Sequence, residues 1–236
     1  MELFVDYNNL PRADLGRGLV YVVDRILSVL GYLHLHTHTR VHFRLYDGWY
    51  SNRTPTRRAQ AISTELLANF PLTRTFSDGT NTTTLIVNAE LAYSLKIDPS
   101  HHLWHTFRQR SFPRDLGCHH PTSVGCTAPT CVLSPMHTLI ATGRCPSAGC
   151  GLIPDQMLHR NEQKLVDTML AADLLFLHLQ RQSIAVIVSS DDDMWPAIKT
   201  VLDLGMTIIH VHTHPGRRTP AIYSRGPRPS YTEINL

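Results

Sequence analysis

The amino-acid sequence predicts an α/β protein in which a parallel sheet carries helices on both faces and a Cys/His-rich insertion interrupts the chain. Short apolar segments typical of strands alternate with segments of helical periodicity, an arrangement that favours a parallel sheet. The segment Ile184–Val188 is a nearly continuous β-branched run, as a strand buried on both faces requires. Residues 100–153 follow neither pattern and are rich in His, Pro, Gly and Cys, which indicates an inserted module.

The elements that precede the insertion are predicted from the spacing of apolar residues. Val41, Phe43 and Leu45 alternate with polar residues as strand residues do, and residues 15–30 carry apolar side chains at helical spacing. The predicted elements are a strand at 3–6, a helix at 15–30, a strand at 39–46, a helix at 56–68 and a strand at 82–87.

After the insertion, helical periodicity returns and leads into the most hydrophobic strand of the chain. The predicted elements are a helix at 162–179, the strand Ile184–Val188, a short helix at 196–204 and a strand at 206–211. Residues 213–236 contain several Pro and Arg residues and are predicted to be an arm or a disordered tail. The sequence therefore predicts a discontinuous domain at 1–99 and 154–212, an insertion at 100–153 and a tail at 213–236.

Composition and charge restrict the class of protein only broadly. A chain of 236 residues with a 42% hydrophobic share suits one α/β domain with an insertion. No segment approaches the roughly 20 apolar residues of a membrane span, and the chain opens with a strand, so we expect a cytoplasmic protein without a membrane partner. Only three of the 22 basic residues are Lys. Arginine suits phosphate recognition, although a GC-rich genome would explain this bias equally well.

Three aspartates follow apolar strands of the predicted sheet: Asp6, Asp47 and Asp191. The carboxyl ends of parallel strands lie at one edge of a sheet, so we expect these side chains to converge there. Converging carboxylates repel one another unless a cation neutralises them, and Mg²⁺ and Mn²⁺ prefer oxygen ligands. A single aspartate after a strand is equally well explained as a helix cap. The group as a whole predicts metal-assisted phosphate chemistry.

Three segments of the chain resemble, in order, the motifs of NYN domains, which are nucleases of the PIN-like superfamily. The first is Phe4-Val-Asp6-Tyr-Asn-Asn9, in which Asn9 follows a strand-ending Asp by three positions. The second contains Lys164, then Val-Asp167, then Asp173 six residues later. The third is Ser-Ser-Asp191-Asp-Asp193-Met-Trp-Pro; it has Ser where the family usually has Gly, and Met where an aromatic residue is common.

The resemblance implies a PIN-like, Rossmann-like fold and a ribonuclease that depends on Mg²⁺ or Mn²⁺. It implies that Asp6, Asp167 and Asp191 bind the metal, and that Asp193 binds it or orients the attacking water. Asn9 would position the first aspartate or a phosphate. Lys164 and Asp167 are three residues apart and are expected to share one face of a helix. Asp173 is a weaker candidate, for which a surface or packing role is an alternative.

All five cysteines lie between Cys118 and Cys150, a clustering that favours a metal site over a disulfide scaffold. The spacing Cys126-x4-Cys131 and Cys145-x4-Cys150 predicts a structural zinc site. Another residue of the insertion could replace one of these ligands. The candidates for such a replacement are Cys118, His119, His120 and His137. The alternative is a flexible insertion without metal.

Basic and aromatic residues supply candidate substrate contacts. We expect Lys164, Arg53, Arg57 and Arg58 to bind phosphates, although solvated surface charge explains the three arginines equally well. We also expect Tyr46, Trp49 and Tyr50 to be available for stacking on bases. RNA is the favoured substrate and partner, DNA is not excluded, and self-association as a homo-oligomer is left open.

Two alternatives belong to other functional classes. A non-catalytic RNA- or protein-binding PIN-like module would be expected to lose its metal-binding carboxylates. This sequence keeps all four of them, Asp6, Asp167, Asp191 and Asp193. An Asp-x-Asp phosphatase would need an aspartate at position 8, where Asn8 stands.

Overall fold

The computed structural model of this chain describes residues 1–111, 116–128, 130–220 and 230–236. It divides into two compact units. The first combines Met1–Phe107 with Gln163–Leu236, and the second is Arg108–Glu162. Residues 100–107, predicted to open the insertion, thus belong to the first unit, and residues 154–162 belong to the second.

The described residues form more strands than the five that the sequence predicts. In chain order they are β1 (Glu2–Asp6), β2 (Arg40–Tyr46), β3 (Tyr50–Ser51), β4 (Thr54–Pro55), β5 (Leu72–Ser77), β6 (Thr82–Leu91), β7 (Ser94–Leu95), β8 (Asp98–His102), β9 (Phe107–Ser111), β10 (His159–Gln163), β11 (Ile184–Val188), β12 (Thr207–His212) and β13 (Tyr231–Asn235). All five predicted strands are confirmed, with small changes at their ends.

The helices also correspond to the predicted ones in the first unit. In chain order they are α1 (Arg12–Leu15), α2 (Leu19–Leu35), α3 (Arg57–Asn69), α4 (Leu133–Thr142), α5 (Pro154–Met157), α6 (Val166–Leu179) and α7 (Trp195–Asp203). Among the described residues, no helix combines the length and the apolar character that crossing a bilayer would require.

Seven of the described strands form one sheet, in the order β13-β12-β11-β1-β2-β6-β5. Neighbouring strands from β13 to β6 are parallel, whereas β5 pairs with β6 in the antiparallel direction. The predicted all-parallel sheet is therefore corrected to a mixed one. β1 lies in its middle, with β11 on one side and β2 on the other.

Helices cover both faces of the sheet, as predicted. Leu3 and Val5 of β1 pack into a core that includes the apolar side of α2. Phe4, between them, faces the opposite way into a second core formed with α6 and α7. Successive residues of a strand point to opposite faces, which explains why Leu3–Val5 of β1 and all of β11 are apolar.

Two glycines explain how the predicted helix at 15–30 differs from the observed one. Gly18 has φ +90°, a left-handed conformation that separates α1 from α2 and moves the helix start to Leu19. Gly31 has φ +60° and kinks α2 instead of ending it, so the helix continues to Leu35.

The prediction of an arm or disordered tail at 213–236 is wrong for its last residues. Tyr231–Asn235 is strand β13, which pairs in parallel with β12 at the edge of the main sheet. Two side-chain hydrogen bonds hold it there. His210 Nδ1 lies 2.7 Å from the Tyr231 hydroxyl, and His212 Nε2 lies 2.9 Å from Glu233 Oε1. Of the predicted tail, residues 221–229 lie outside the described residues.

Candidate metal centre

The candidate site lies at the carboxyl edge of the main sheet, where β1 and β11 end and α6 begins. Asp6 is the last residue of β1, and Asp191 follows β11 by three residues. β1 and β11 are parallel neighbours, with Val5 opposite Val188, so both aspartates lie at the same edge. Asp167 comes from the first turn of α6, where the positive end of the helix dipole favours a carboxylate.

These three aspartates form one group. One carboxylate oxygen from each of Asp6, Asp167 and Asp191 lies within 4.8 Å of the others. Asp6 is buried, Asp191 is half-buried and Asp167 is exposed. The group therefore opens to solvent on the Asp167 side and is closed by the sheet on the Asp6 side.

Burial and mutual repulsion change the protonation of the group. Burial first, and then the neighbouring carboxylates of Asp167 and Asp191, together raise the pKa of Asp6 from its ordinary 3.8 to about 7, against the hydrogen bonds that lower it. The pKa of Asp167 is also raised, first by burial and then by Asp191 and Asp193. Both shifts mean that negative charge is unfavourable here without a nearby cation.

No arginine or lysine of the described residues forms an ion pair with these three carboxylates, whereas Asp47 and Asp192 nearby each have one. Asp47 lies 2.7 Å from the guanidinium of Arg58, and Asp192 lies 2.7 Å from that of Arg217. Within the described part of the chain, arginines thus neutralise Asp47 and Asp192 but not the three carboxylates of the group. Three carboxylates arranged in this way are able to hold a metal ion.

Hydrogen bonds hold the two strand-end loops in place. The Ser189 hydroxyl donates to Asp6 Oδ2 and accepts from the backbone N–H of Asp191, both at 3.0 Å. Asn9 Oδ1 accepts from the Ser190 N–H at 2.8 Å and from the Thr213 hydroxyl. The backbone N–H of Asn9 donates to the Asp6 carboxylate. Asn9 thus positions both the first aspartate and the loop that carries Asp191, while sequence reasoning missed Ser189 and Thr213.

Two residues predicted for the site have a different place in the structure. Asp193 lies outside the three-carboxylate group; its backbone N–H donates to Asp191 Oδ1 at 3.0 Å, so Asp191 caps the turn that precedes α7. Lys164 does not share a helix face with Asp167, because Leu165 has φ +68° and α6 begins only at Val166. The Lys164 backbone N–H donates to Thr106 O at 2.9 Å.

Asp47 and Asp173 are corrected from candidate ligands to structural acids. Asp47 follows β2 at the expected edge, but it pairs with Arg58 and accepts hydrogen bonds from Gly48 N–H and Gln163. Asp173 is buried on α6 and pairs with the buried Arg44 at 2.9 Å. Neither carboxylate belongs to the group.

The predicted substrate-binding arginines lie near the same edge with different roles. Arg58 bridges Asp47 and Asn8 Oδ1, the latter at 3.3 Å. Arg57 is the first residue of α3, and Arg53 lies in the turn between β3 and β4; both are exposed.

The aromatic residues predicted for stacking are not available. Tyr46 is 1% exposed, Trp49 is fully buried and Tyr50 is 5% exposed. The expectation that these three rings stack on bases is therefore wrong.

In the second unit, the cysteines associate as two separate pairs. The thiols of Cys126 and Cys131 share a hydrogen bond, and so do those of Cys145 and Cys150. The backbone N–H of Leu133 lowers the pKa of Cys131, and that of Ser147 lowers the pKa of Cys145. Helix α4 separates the two pairs along the chain. Among the described residues, the aspartate group is the only set of three or more ligands close enough for one ion, so the predicted four-cysteine site is not assembled.

The raised pKa of Asp6 leads to a prediction about stability. A carboxyl group whose pKa is higher in the folded protein than in the unfolded chain destabilises the fold as pH rises from about 4 to about 7. In EDTA at pH 8, we expect Asp6→Asn to raise the free energy of unfolding by on the order of 2–4 kcal/mol, since each pKa unit corresponds to about 1.4 kcal/mol. Urea denaturation measures the difference, which should vanish near pH 4. A variant less stable than the wild type at pH 8 would show that the charge of Asp6 is compensated.

Comparisons with models of protein families, with curated protein sequences and with solved structures return no match for this chain.

Proposed function

We propose that this protein is a metal-dependent nuclease of the PIN-like NYN type that hydrolyses phosphodiester bonds in RNA. One observation carries the proposal: Asp6, Asp167 and Asp191 place carboxylate oxygens within 4.8 Å of one another, and no basic side chain of the described residues pairs with them. The ordered resemblance of three sequence segments to NYN motifs supports the same function.

The residues of the group fit Mg²⁺ or Mn²⁺. Three carboxylates offer only oxygen ligands, which hard divalent cations prefer, and the open Asp167 side leaves room for water or phosphate oxygens. Asp6, Asp167 and Asp191 would hold the ion. When bound, such an ion polarises a phosphoryl group and makes a water molecule more acidic.

The remaining roles belong to groups of the chain itself. Ser189 and Asn9 fix the two aspartate-bearing loops through the hydrogen bonds described above. Asp193 is exposed beside Asp167 and influences its pKa, so we assign it the orientation of the attacking water. Arg57 and Arg53 are exposed cations at the same edge of the first unit and are suited to phosphate contacts.

A non-catalytic binding module is the alternative, and the electrostatics argue against it. The raised pKa values of Asp6 and Asp167 show that their charged forms are unfavourable without a cation, and a protein without need of a metal could replace Asp6 with a neutral residue and gain stability. An Asp-x-Asp phosphatase would need an aspartate in place of Asn8, whose side chain instead accepts a hydrogen bond from Arg58.

A cleavage assay tests the proposed function. End-labelled single-stranded RNA and DNA of the same sequence are incubated with the purified protein in Mn²⁺, in Mg²⁺ and in EDTA. We expect cleavage of RNA in Mn²⁺ or Mg²⁺ and none in EDTA. Cleavage that continues unchanged in EDTA would overturn the proposed mechanism, and preference for DNA would correct the substrate.

For the second unit we propose a structural zinc ion whose binding brings the two separate thiol pairs together, with Cys126, Cys131, Cys145 and Cys150 as its ligands. Support comes from the two thiol pairs and from backbone N–H groups that already stabilise the thiolates of Cys131 and Cys145. All five cysteines are free thiols, which is consistent with the reducing cytoplasm that we propose as the compartment.

Elemental analysis decides the zinc proposal. We expect about one zinc per chain, which Cys131→Ser should remove and Cys118→Ser should leave in place, because Cys118 lies outside both pairs. Protein purified without chelators that contains no stoichiometric zinc would discard the site.

A further inference from the structure

An aromatic cluster in the first unit has no role in the metal site. It consists of Tyr50, Tyr93, His102 and Trp104, which we call the aromatic platform. Tyr50 is its centre, with ring centroids 4.9 Å from Tyr93, 5.8 Å from His102 and 4.5 Å from Trp104. Tyr93 and His102 are stacked at 5.6 Å with an interplanar angle of 16°.

The platform is held rigidly and yet opens to solvent. The Tyr50 hydroxyl lies 2.8 Å from His102 Nδ1, and the Tyr93 hydroxyl lies 3.3 Å from that of Ser63. Trp104 is 37% exposed, and among the described residues it is the only exposed Trp, Tyr or Phe. A large π-face kept at the surface on an ordered base is suited to stacking on a flat ligand, since it needs little further ordering when it binds.

Positive charge adjoins the platform. The backbone N–H of His105, next to Trp104, donates to Asn52 O at 3.1 Å, and Asn52 precedes the exposed Arg53. Tyr50 pairs with Pro55 across the same hairpin. Tyr50 of the platform and Arg53 thus share one short hairpin, to which the segment after Trp104 is hydrogen-bonded, so that a ligand with flat rings and phosphates can contact both.

The platform is also close to the metal centre, both along the chain and through a contact between aromatic rings. Tyr50 follows Asp47 by three residues, at the edge of the sheet where β2 ends. The neighbouring Trp49 ring lies 5.7 Å from that of Tyr7, which directly follows Asp6. A strand of nucleic acid on the platform would therefore lie on the side of the sheet edge that carries the carboxylates.

We propose that the aromatic platform binds single-stranded nucleic acid, with a base stacked on Trp104 and the adjoining phosphate on Arg53. Bases have flat faces whatever their identity, so stacking of this kind tolerates different sequences, and a single strand exposes those faces whereas a duplex covers them. This inference deepens the proposed function by naming the form of the substrate, but binding at the platform needs no metal.

Fluorescence anisotropy in EDTA tests binding without cleavage. The probe is a fluorescein-labelled 12-nucleotide single-stranded RNA, and the proteins are the wild type, Trp104→Ala, Trp104→Tyr and Leu67→Ala. We expect Trp104→Ala to weaken binding between about 5- and 100-fold, the range that loss of one stacked base produces. Trp104→Tyr should restore most of the affinity, and Leu67→Ala, which removes another exposed apolar side chain, should leave it unchanged.

Two further probes separate stacking from charge. An abasic oligonucleotide of the same length should bind wild type and Trp104→Ala equally, and a blunt RNA duplex should bind more weakly than the single strand. Equal affinity of wild type and Trp104→Ala for the single strand, or tighter binding of the duplex, would overturn the platform. Either result leaves the cleavage assay unaffected, whereas a protein that binds through Trp104 and never cleaves would overturn only the nuclease proposal.

Discussion

Asp191→Asn is expected to lower metal-dependent RNA cleavage on the order of 10³-fold while leaving the fold intact. Asparagine keeps the oxygen that accepts the Asp193 N–H, so the turn before α7 stays capped. It removes one of only three charges available to the cation. A metal ion contributes several kcal/mol to the stabilisation of a phosphoryl transition state, and each 1.4 kcal/mol corresponds to a factor of ten in rate. Initial rates with labelled RNA in Mn²⁺ measure the effect.

Asp192→Asn is the matched control, because it makes the same chemical change in the same loop. The Asp192 carboxylate is paired with Arg217 at 2.7 Å and lies outside the group. We expect its cleavage rate to stay within about tenfold of the wild type. Comparable losses in both variants would show that the loop, and not the Asp191 carboxylate, supports activity.

Asp173→Ala is expected to lower the free energy of unfolding by about 3–5 kcal/mol. The Asp173 side chain is 1% exposed and accepts from Arg44 Nε at 2.9 Å, from the Tyr46 hydroxyl at 2.7 Å and from the Lys96 N–H at 2.6 Å. Its removal would leave a buried guanidinium with only Glu90 and Ser94 O as partners, and two further donors unsatisfied. Urea denaturation at pH 7 measures the change.

Asp24→Ala provides the comparison at an exposed position. Asp24 pairs with Arg74 at 2.6 Å, but both side chains are about a third or more exposed. Solvent screens such a pair, and we expect a loss of no more than about 1 kcal/mol. If the two variants were equally stable, Asp173 would have no structural role, and its place in the NYN-like motif would need a functional explanation.

The sequence predicts most of the fold because strands that are buried on both faces have a distinctive, nearly continuous apolar sequence. Ile184–Val188 and its neighbours β1 and β12 lie between two helical layers, so their apolar patterns are unambiguous. β5 and β13 lie at the edges of the sheet, where polar and apolar residues mix. Edge strands such as Tyr231–Asn235 are defined by the partner they pair with, which a local pattern does not contain.

For the site, the sequence predicts which residues reach the sheet edge but not which of them have a counter-charge. Asp6, Asp47 and Asp191 all lie at strand ends, yet among the residues that the structure describes only Asp47 has an arginine partner, supplied by α3. No spacing rule connects Asp47 to Arg58. Asp167 could be placed only through the family resemblance, since it lies in the first turn of a helix and follows no strand of the main sheet. The prediction that Lys164 shares a helix face with Asp167 failed because a single residue, Leu165, adopts a left-handed conformation.

The aromatic platform illustrates a second limit of sequence reasoning. The sequence predicts that Tyr50 stacks on bases because arginines follow it. In the structure its ring packs against Trp104, which is 54 residues away in sequence, and Trp104 is the exposed residue of the two. Exposure depends on which segment covers which, and that is a property of tertiary packing.

The central claim is that Asp6, Asp167 and Asp191 form a metal centre. Its most direct test is a calorimetric titration with Mn²⁺ of the purified wild type, Asp167→Asn and Asp192→Asn. The three-carboxylate site predicts that Asp167→Asn binds Mn²⁺ at least about tenfold more weakly than the wild type, and that Asp192→Asn binds it as the wild type does. It also predicts that wild-type affinity falls as pH drops below about 7, where Asp6 takes up a proton in competition with the metal. Equal Mn²⁺ binding by the wild type and Asp167→Asn would contradict the existence of a metal centre at this edge of the sheet.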